Sequence, residues 1–422
     1  MSVNRAPLAE DDDAVLLDLV RRALPSAAFG PIGVAVSGGS DSLAALHLMA
    51  NAAAQTGWAL RAVTVDHALR PEAAIEARGV AALCAGLGIA HDTLRWDHGL
   101  IAGNVPDAAR RARYGLMADW AQAAGVGQIV LGHTANDQAE TFLMGLGRAA
   151  GLDGLIGMRP AWDLAGVRFV RPFLTADRAQ LRRYLQRLGV VWVEDPTNAD
   201  YRYTRVKARR ALSALAPLGI TVARIAAVMA NLSAAQNALD DIAQRAARSI
   251  ARTSAGEVIF DRALWQAQPP EVQRRLLLAA LRWISRADYA PRAAAIVRLI
   301  DAIHDARPAT LWGCRLREGG AEFYLSREPR AVAVRIAGPD AVWDGRWQVT
   351  GPFPKGAEIR ALGVLGLRSC PDWRQTGHSR EALIVTPAVW QGECLIAAPL
   401  AGHANGFEAR IVAADTLFTV SH

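Results

Sequence analysis

Up to about residue 195 the chain switches repeatedly between two hydrophobic periodicities. Short apolar runs, PIGVAV at 31–36, LRAVTV at 60–65, DTLRW at 92–96 and QIVLG at 128–132, have the length and β-branched content of buried strands. The stretches that follow them, LAALHLMANAAA, EAAIEARGVAALCAGLG, PDAARRARYGLMADWAQAAG and DQAETFLMGLG, return apolar residues to one face at helical spacing. This alternation predicts an α/β fold, a parallel doubly wound sheet with helices on both faces. Ligands of such sheets gather outside the carboxyl ends of the strands, where VSGGSDS, VDHALR and LGHTANDQAE fall.

Past residue 215 the pattern becomes long alanine- and arginine-rich helical stretches, TVARIAAVMANLSAAQNALDDIAQRAARSI among them, and past 306 it becomes short β-branched and aromatic runs broken by glycine and proline. The expected organisation is an α/β domain at 1–215, a helical domain at 216–306 and a small β-rich domain at 307–422.

Composition narrows the class. With 52% hydrophobic and 21% charged residues the chain is globular. The four cysteines, Cys84, Cys314, Cys370 and Cys394, form no CxxC pair, which suits a reducing compartment and argues against a structural zinc. An acidic cluster stands where a secretory signal needs an apolar core, and no run approaches the ~18 apolar residues of a membrane span. A cytoplasmic protein with no membrane contact is expected. The net charge of +7 is unevenly placed, since residues 159–210 alone carry 12 Arg or Lys against 5 Asp or Glu. Such density reads either as a solvated face or as a footprint for nucleic-acid phosphates.

Ser37-Gly38-Gly39-Ser40-Asp41-Ser42, between a strand and a helix, offers backbone N–H groups, hydroxyls and a helix N-terminus to an anion. The plainer alternative is a tight glycine turn with Ser40 or Asp41 capping the helix. Arg110 and Arg113 lie three apart on one helix, as do Asp137 and Glu140, so each pair shares a face. Two carboxylates side by side suit an ammonium ligand, although Thr134-x-x-Asp137 also reads as a capping box.

SGGSDS resembles the SGGxDS pyrophosphate loop of the ATP pyrophosphatases. VDHALRPEA (65–73), AARRARYGLM (108–117), LGHTANDQAETFLMGL (131–146), GLDGLIGM (151–158), RPFL (171–174) and VEDPTNADYRYTR (193–205) resemble, in order and approximate spacing, the tRNA(Ile)-lysidine synthetases, and LWGCRLR (311–317) is similar to a fragment of their C-terminal region. The resemblance implies that oxygen 2 of the first anticodon cytidine of a tRNA(Ile) bearing CAU is adenylated by ATP, and that free lysine then displaces AMP. It implies that Ser37, Gly38, Gly39, Ser40, Asp41 and Ser42 cradle ATP, and that Arg113 neutralises charge on the transferred phosphate. Asp41 then binds Mg2+ or acts as a base, since a carboxylate beside phosphates is otherwise costly. Asp137, Glu140 and Arg205 would hold the lysine, with Asp195 and Asn198 near the crevice. Arg182, Arg183 and Arg187 are the expected tRNA phosphate contacts, Arg183 and Arg187 sharing a helical face.

Three positions depart from that pattern: Asn136 where an aspartate is frequent, Gly145 where an arginine is more usual, and Val206 in place of an asparagine. The competing functions are a tRNA 2-thiolation enzyme on the same fold, disfavoured by the lack of paired cysteines, an amidotransferase-type synthetase, for which no glutaminase nucleophile is evident, and a binding module without turnover.

Overall fold

The computed structural model describes residues 8–24, 30–67, 73–97, 105–194, 201–287 and 291–412. The chain divides into two compact units, one reaching to Gln236 and the other beginning at Asn237.

In the first unit the four expected strands form as β1 (Ile32–Ala35), β2 (Leu60–Asp66), β3 (Ala90–Arg95) and β4 (Gln128–Leu131). A hairpin the apolar pattern did not announce, β5 (Ala161–Leu164) and β6 (Val167–Val170), extends the sheet to the order β3-β2-β1-β4-β6-β5. All neighbours pair in parallel except β5 with β6. The central strand β1 is buried throughout, as expected for a parallel strand covered on both faces.

Alternation along β1 and β4 divides the core. Val34, Val36 and Val130 join the cluster made with α1 (Leu8–Ala23), α2 (Ser40–Thr56), α3 (Ala73–Gly86) and a later helix. Ala35, Ile129 and Leu131 join Met117, Ala118 and Ala121 of α4 (Val105–Ala123) on the opposite face. The unit is completed by α5 (Ala135–Leu146), the short α6 (Leu152–Leu155), α7 (Arg178–Arg187), α8 (Thr204–Leu215) and α9 (Val222–Ile250), inside which the units divide. Leu181, Tyr184 and Leu185 of α7 pack into the cluster of α1 and α2.

The second unit holds a five-stranded antiparallel sheet of β7 (Ala251–Ser254), β8 (Glu257–Asp261), β9 (Ala309–Leu311), β10 (Cys314–Gly319) and β11 (Glu322–Arg327), ordered β7-β8-β11-β10-β9. It shares a core with α10 (Arg262–Gln266), α11 (Pro270–Ser285) and α12 (Ala293–His304). Thus β7 and β8 lie within 216–306, read from sequence as helical; their run ARTSAGEVIFD is short and sits between strongly helical segments. A second core follows, from Val332 to Phe407, built on two small sheets. Among the described residues no single helix is long and apolar enough to cross a membrane.

Candidate active site

A polar crevice of about 210 Å³ opens at the carboxyl ends of β1 and β4, where the 37–42 loop, His133, Arg113 of α4, Asp137 of α5 and Arg178 and Arg182 of α7 come together. The loop has the geometry of an anion seat. Gly38 lies in the left-handed region at φ +86°, where a side chain is strained. Gly39 is the N-cap of α2 and no side chain caps that helix, so the reading of Ser40 or Asp41 as a simple cap does not apply. Residues 39–42 line the crevice, and the first-turn amides of α2 have no side-chain cap competing for an anion. Ser42 braces the loop from within, accepting from Ser37 N at 3.1 Å and donating to Gly39 O at 3.0 Å. On the other wall, a Cβ at Gly132 would stand 2.6 Å from the Asp41 carbonyl oxygen, so glycine there lets β4 run directly against α2.

Behind the loop three carboxylates and three guanidiniums form one cluster. Arg178 donates through Nε to Asp41 Oδ2 at 2.7 Å and through Nη2 to Asp137 Oδ1 at 2.9 Å, and Nη1 lies 3.5 Å from Glu140 Oε1. Arg205 donates to the same Asp137 oxygen at 2.8 Å and to Glu140 Oε2 at 2.7 Å. Arg209, one turn further along α8, reaches Glu140 Oε1 at 2.8 Å. Glu140 is almost wholly buried, a position tenable for a charge only with such pairing.

Asp137 serves both readings open in the sequence. Its Oδ2 accepts from Thr134 N at 2.8 Å and Thr134 Oγ1 at 2.9 Å, starting α5, while its Oδ1 faces the arginines. Asn136 has its own use: its Oδ1 accepts the backbone N–H of Arg178 at 2.8 Å, fastening the start of α7 over the site. At Gly145 a Cβ would stand 2.9 Å from the carbonyl oxygen of Gly154, which leaves no room for a long side chain with α6 in this place. Val206 is buried on the underside of α8.

Protonation follows from these contacts. Burial raises the Asp41 carboxyl above its ordinary value, against the pull of Arg178. For Asp137 burial acts in the same direction, yet Arg205 and Arg178 outweigh it and hold the group below the carboxylate range. Arg178 and Arg205 are correspondingly raised by their carboxylates in spite of burial. Arg113 moves the other way, lowered by burial and by the charges of Arg110 and Arg205; among the described residues it has no ion pair. His133 is pushed down to about 3 by burial and Arg171, so it is neutral at physiological pH; its Nδ1 accepts from Arg171 Nε at 3.1 Å.

The residues named from sequence are thus brought together unequally. Ser37, Gly39, Ser40, Asp41, Ser42, Arg113 and Asp137 line the crevice. Glu140 and Arg205 form the second layer. Arg182 also lines it, donating to Ser40 Oγ at 3.3 Å and to Glu194 Oε1 at 2.7 Å. Arg183 and Arg187 turn away and pair with Asp12 and Asp13 of α1. Asp195, Asn198 and positions 68–72 of VDHALRPEA lie outside the described residues. Arg178 and Arg209 were not singled out from sequence. Each stands four residues from an arginine that was, Arg182 and Arg205, and so shares its helical face.

Residues 17–216 match the family model described as a PP-loop domain. Over 92% of its length the chain is 46% identical to a tRNA(Ile)-lysidine synthase of Ruegeria pomeroyi, of which it covers 93%. The chain belongs to the tRNA(Ile)-lysidine synthase family. A synthase of this family from Hyphomonas neptunium is 37% identical, over 75% of this chain and 87% of that one, and one from Rhizobium meliloti 36%, over 76% and 73%. Among solved structures, the U34-tRNA thiolase NcsA of Methanococcus maripaludis aligns over 53% of this chain and 80% of that one, at TM-score 0.46 and 15% identity. As a PP-loop tRNA(Ile)-lysidine synthase family member, the chain is an ATP-using ligase that forms a carbon–nitrogen bond.

Proposed function

We propose that the chain joins free lysine to carbon 2 of the first anticodon cytidine of tRNA(Ile) bearing CAU. Oxygen 2 of the cytosine attacks the α-phosphate of ATP and pyrophosphate leaves. The ε-amine of lysine then adds at carbon 2, and AMP departs with the former oxygen 2.

The uncapped first turn of α2, facing an Arg113 that has no carboxylate partner among the described residues, is the observation that carries this reading. Backbone donors and an unsatisfied guanidinium converge where negative charge builds up during adenylyl transfer, and preorganised donors of this kind stabilise such charge. Ser37, Gly38, Gly39 and Ser40 hold the phosphates and Ser42 keeps the loop in shape. Asp41 is the single loop carboxylate offered to Mg2+, which characteristically takes one or two protein carboxylates and completes its shell with phosphate oxygens and water. Bound there, the ion would screen the polyphosphate charge. Among the described residues no group of three or more His, Cys, Asp or Glu forms a protein-only metal site, which fits an ion arriving with the nucleotide.

Asp137 and Glu140 supply the negative charge for the lysine ammonium. Each already holds guanidiniums, so lysine would join a cluster in which three carboxylates meet three arginines, with Arg178, Arg205 and Arg209 setting the carboxylate positions. Residues 1–215 carry the chemistry, the regions 216–306 and 307–422 extend the hold on tRNA, and the reaction takes place in the cytoplasm. Thiolation is the poorer reading on chemistry. Cys84 is the one cysteine before residue 237, and burial pushes its thiol up to about 11, far from a reactive thiolate.

Incubating tRNA(Ile) bearing CAU with ATP and isotopically labelled lysine, then digesting to nucleosides, should give a cytidine heavier by lysine less one water. An unchanged cytidine with the active protein would overturn the reading.

A further inference from the structure

The α8 helix presents two different basic faces. Arg205 and Arg209 point inward to Asp137 and Glu140. Lys207 and Arg210 lie roughly 200° and 140° around the helix axis from the inner-face Arg205, and both are exposed. Neither has a carboxylate partner among the described residues. Two aromatic side chains lead into this outer face, Tyr201 at 51% and Tyr203 at 45% exposure. The Arg210 guanidinium carbon stands 3.7 Å from the centroid of the Tyr201 ring, forming a cation–aromatic stack that still leaves half of the tyrosine open to solvent. Tyr203 is the N-cap of α8 and makes no side-chain cap, so its ring is not needed to start the helix. From 201 to 215 the chain carries five Arg or Lys and no Asp or Glu.

We infer that Tyr201, Tyr203, Lys207 and Arg210 form a stacking platform for an unpaired nucleotide of the tRNA, a neighbour of the target cytidine in the anticodon loop. Exposed aromatic rings beside cations that no carboxylate neutralises match single-stranded nucleic acid, whose bases stack on the rings while its phosphates meet the charges. The charge is of one sign only, which suits a polyanion and is poorly matched to a mixed protein surface. Position selects the nucleotide. The outer face lies about one helix width, roughly 10–12 Å, from the face that touches the carboxylates, too far for the reacting base and within reach of an adjacent one. The inference rests on tRNA being the substrate.

The test uses the full chain and a tRNA(Ile) transcript carrying 2-aminopurine beside the target cytidine. Replacing both tyrosines by leucine (Tyr201→Leu, Tyr203→Leu) should weaken the tRNA Kd by roughly tenfold or more and abolish the fluorescence quenching that stacking produces. The KM values for ATP and lysine should stay within about twofold. The matching phenylalanine pair should retain both affinity and quenching. Lys207→Gln with Arg210→Gln should weaken binding and flatten the slope of log affinity against log salt by roughly 0.7–0.9 per lost contact. Wild-type affinity and quenching in the leucine pair, or a phenylalanine pair as impaired as the leucine pair, would overturn the platform. Lysidine formation by the unaltered protein, measured in parallel, separates the two readings: its absence removes the substrate assignment, whereas its presence beside an unaffected leucine pair removes only the platform.

Discussion

At the scale of single residues, Arg178 is the hinge of the site because one guanidinium touches Asp41, Asp137 and Glu140. Removing it leaves Asp41 without an arginine and Asp137 and the buried Glu140 dependent on Arg205 and Arg209. Arg178→Gln should cost about 3–5 kcal/mol of stability, the scale of a broken buried pair, measurable by denaturant unfolding. Arg178→Lys should keep more of the fold yet lose most turnover, since one ammonium cannot address three carboxylates from a planar fork; wild-type turnover in the lysine variant would mean that charge alone suffices. His133 gives a pH prediction. Its folded pKa, about 3, lies below the ordinary value of 6.5, so the unfolded chain binds the proton more readily. Stability from this group is full above pH 6.5 and is lost as pH falls toward the folded value. His133→Asn, which can still accept from Arg171, should lose about 2 kcal/mol less than the wild type between pH 7 and pH 5. Equal losses in the two proteins would show that the imidazole titrates freely.

At the scale of elements, α7 divides its arginines between two tasks. Arg178 and Arg182, four apart, face the crevice, whereas Arg183 and Arg187, also four apart, hold Asp12 and Asp13 of α1. The basic run that reads in sequence as a phosphate footprint is thus partly neutralised from within its own unit. Arg182→Gln should raise the KM for ATP, because its guanidinium reaches Ser40 of the phosphate loop. The double change Arg183→Gln, Arg187→Gln should leave the tRNA KM and its salt slope near the wild-type values, cost about 0–1 kcal/mol per exposed pair, and speed amide exchange in α1. A strong rise in tRNA KM for that double variant would return these two residues to the RNA surface.

At the scale of the molecule, the order of the reaction follows from which group is adenylated. The nucleophile toward ATP is the tRNA base itself, so pyrophosphate release should require ATP and tRNA(Ile) together, and lysine should be needed only for the departure of AMP. Pyrophosphate assays with each component omitted in turn check this. Lysine-dependent exchange of pyrophosphate into ATP without tRNA would indicate a lysyl-adenylate and the opposite order. The substrate also has to be held while two displacements occur at one base, which gives a physical use for the exposed face of α8 beside the cluster.

What the sequence determined is what chain neighbours determine. The alternation of apolar runs with helical spacing is local, and it was enough for the α/β layout and for the placing of SGGSDS at a strand end. Asp137 and Glu140 share a face because three residues of helix put them there. The turn of the β5–β6 hairpin, Ala165 and Gly166 at φ +49° and +77°, escaped because alanine in the left-handed region is not a turn signal. The partners of the site residues were decided only in three dimensions. Arg178 meets Asp41 across 137 positions and Arg205 meets Asp137 across 68, pairings that exist because the sheet sets β4 beside β1 and lays α7 and α8 over their ends. Periodicity records which face of an element is apolar. It carries no record of which polar group from a distant segment will meet that element once the core has closed, and burial then sets the charge each group can bear.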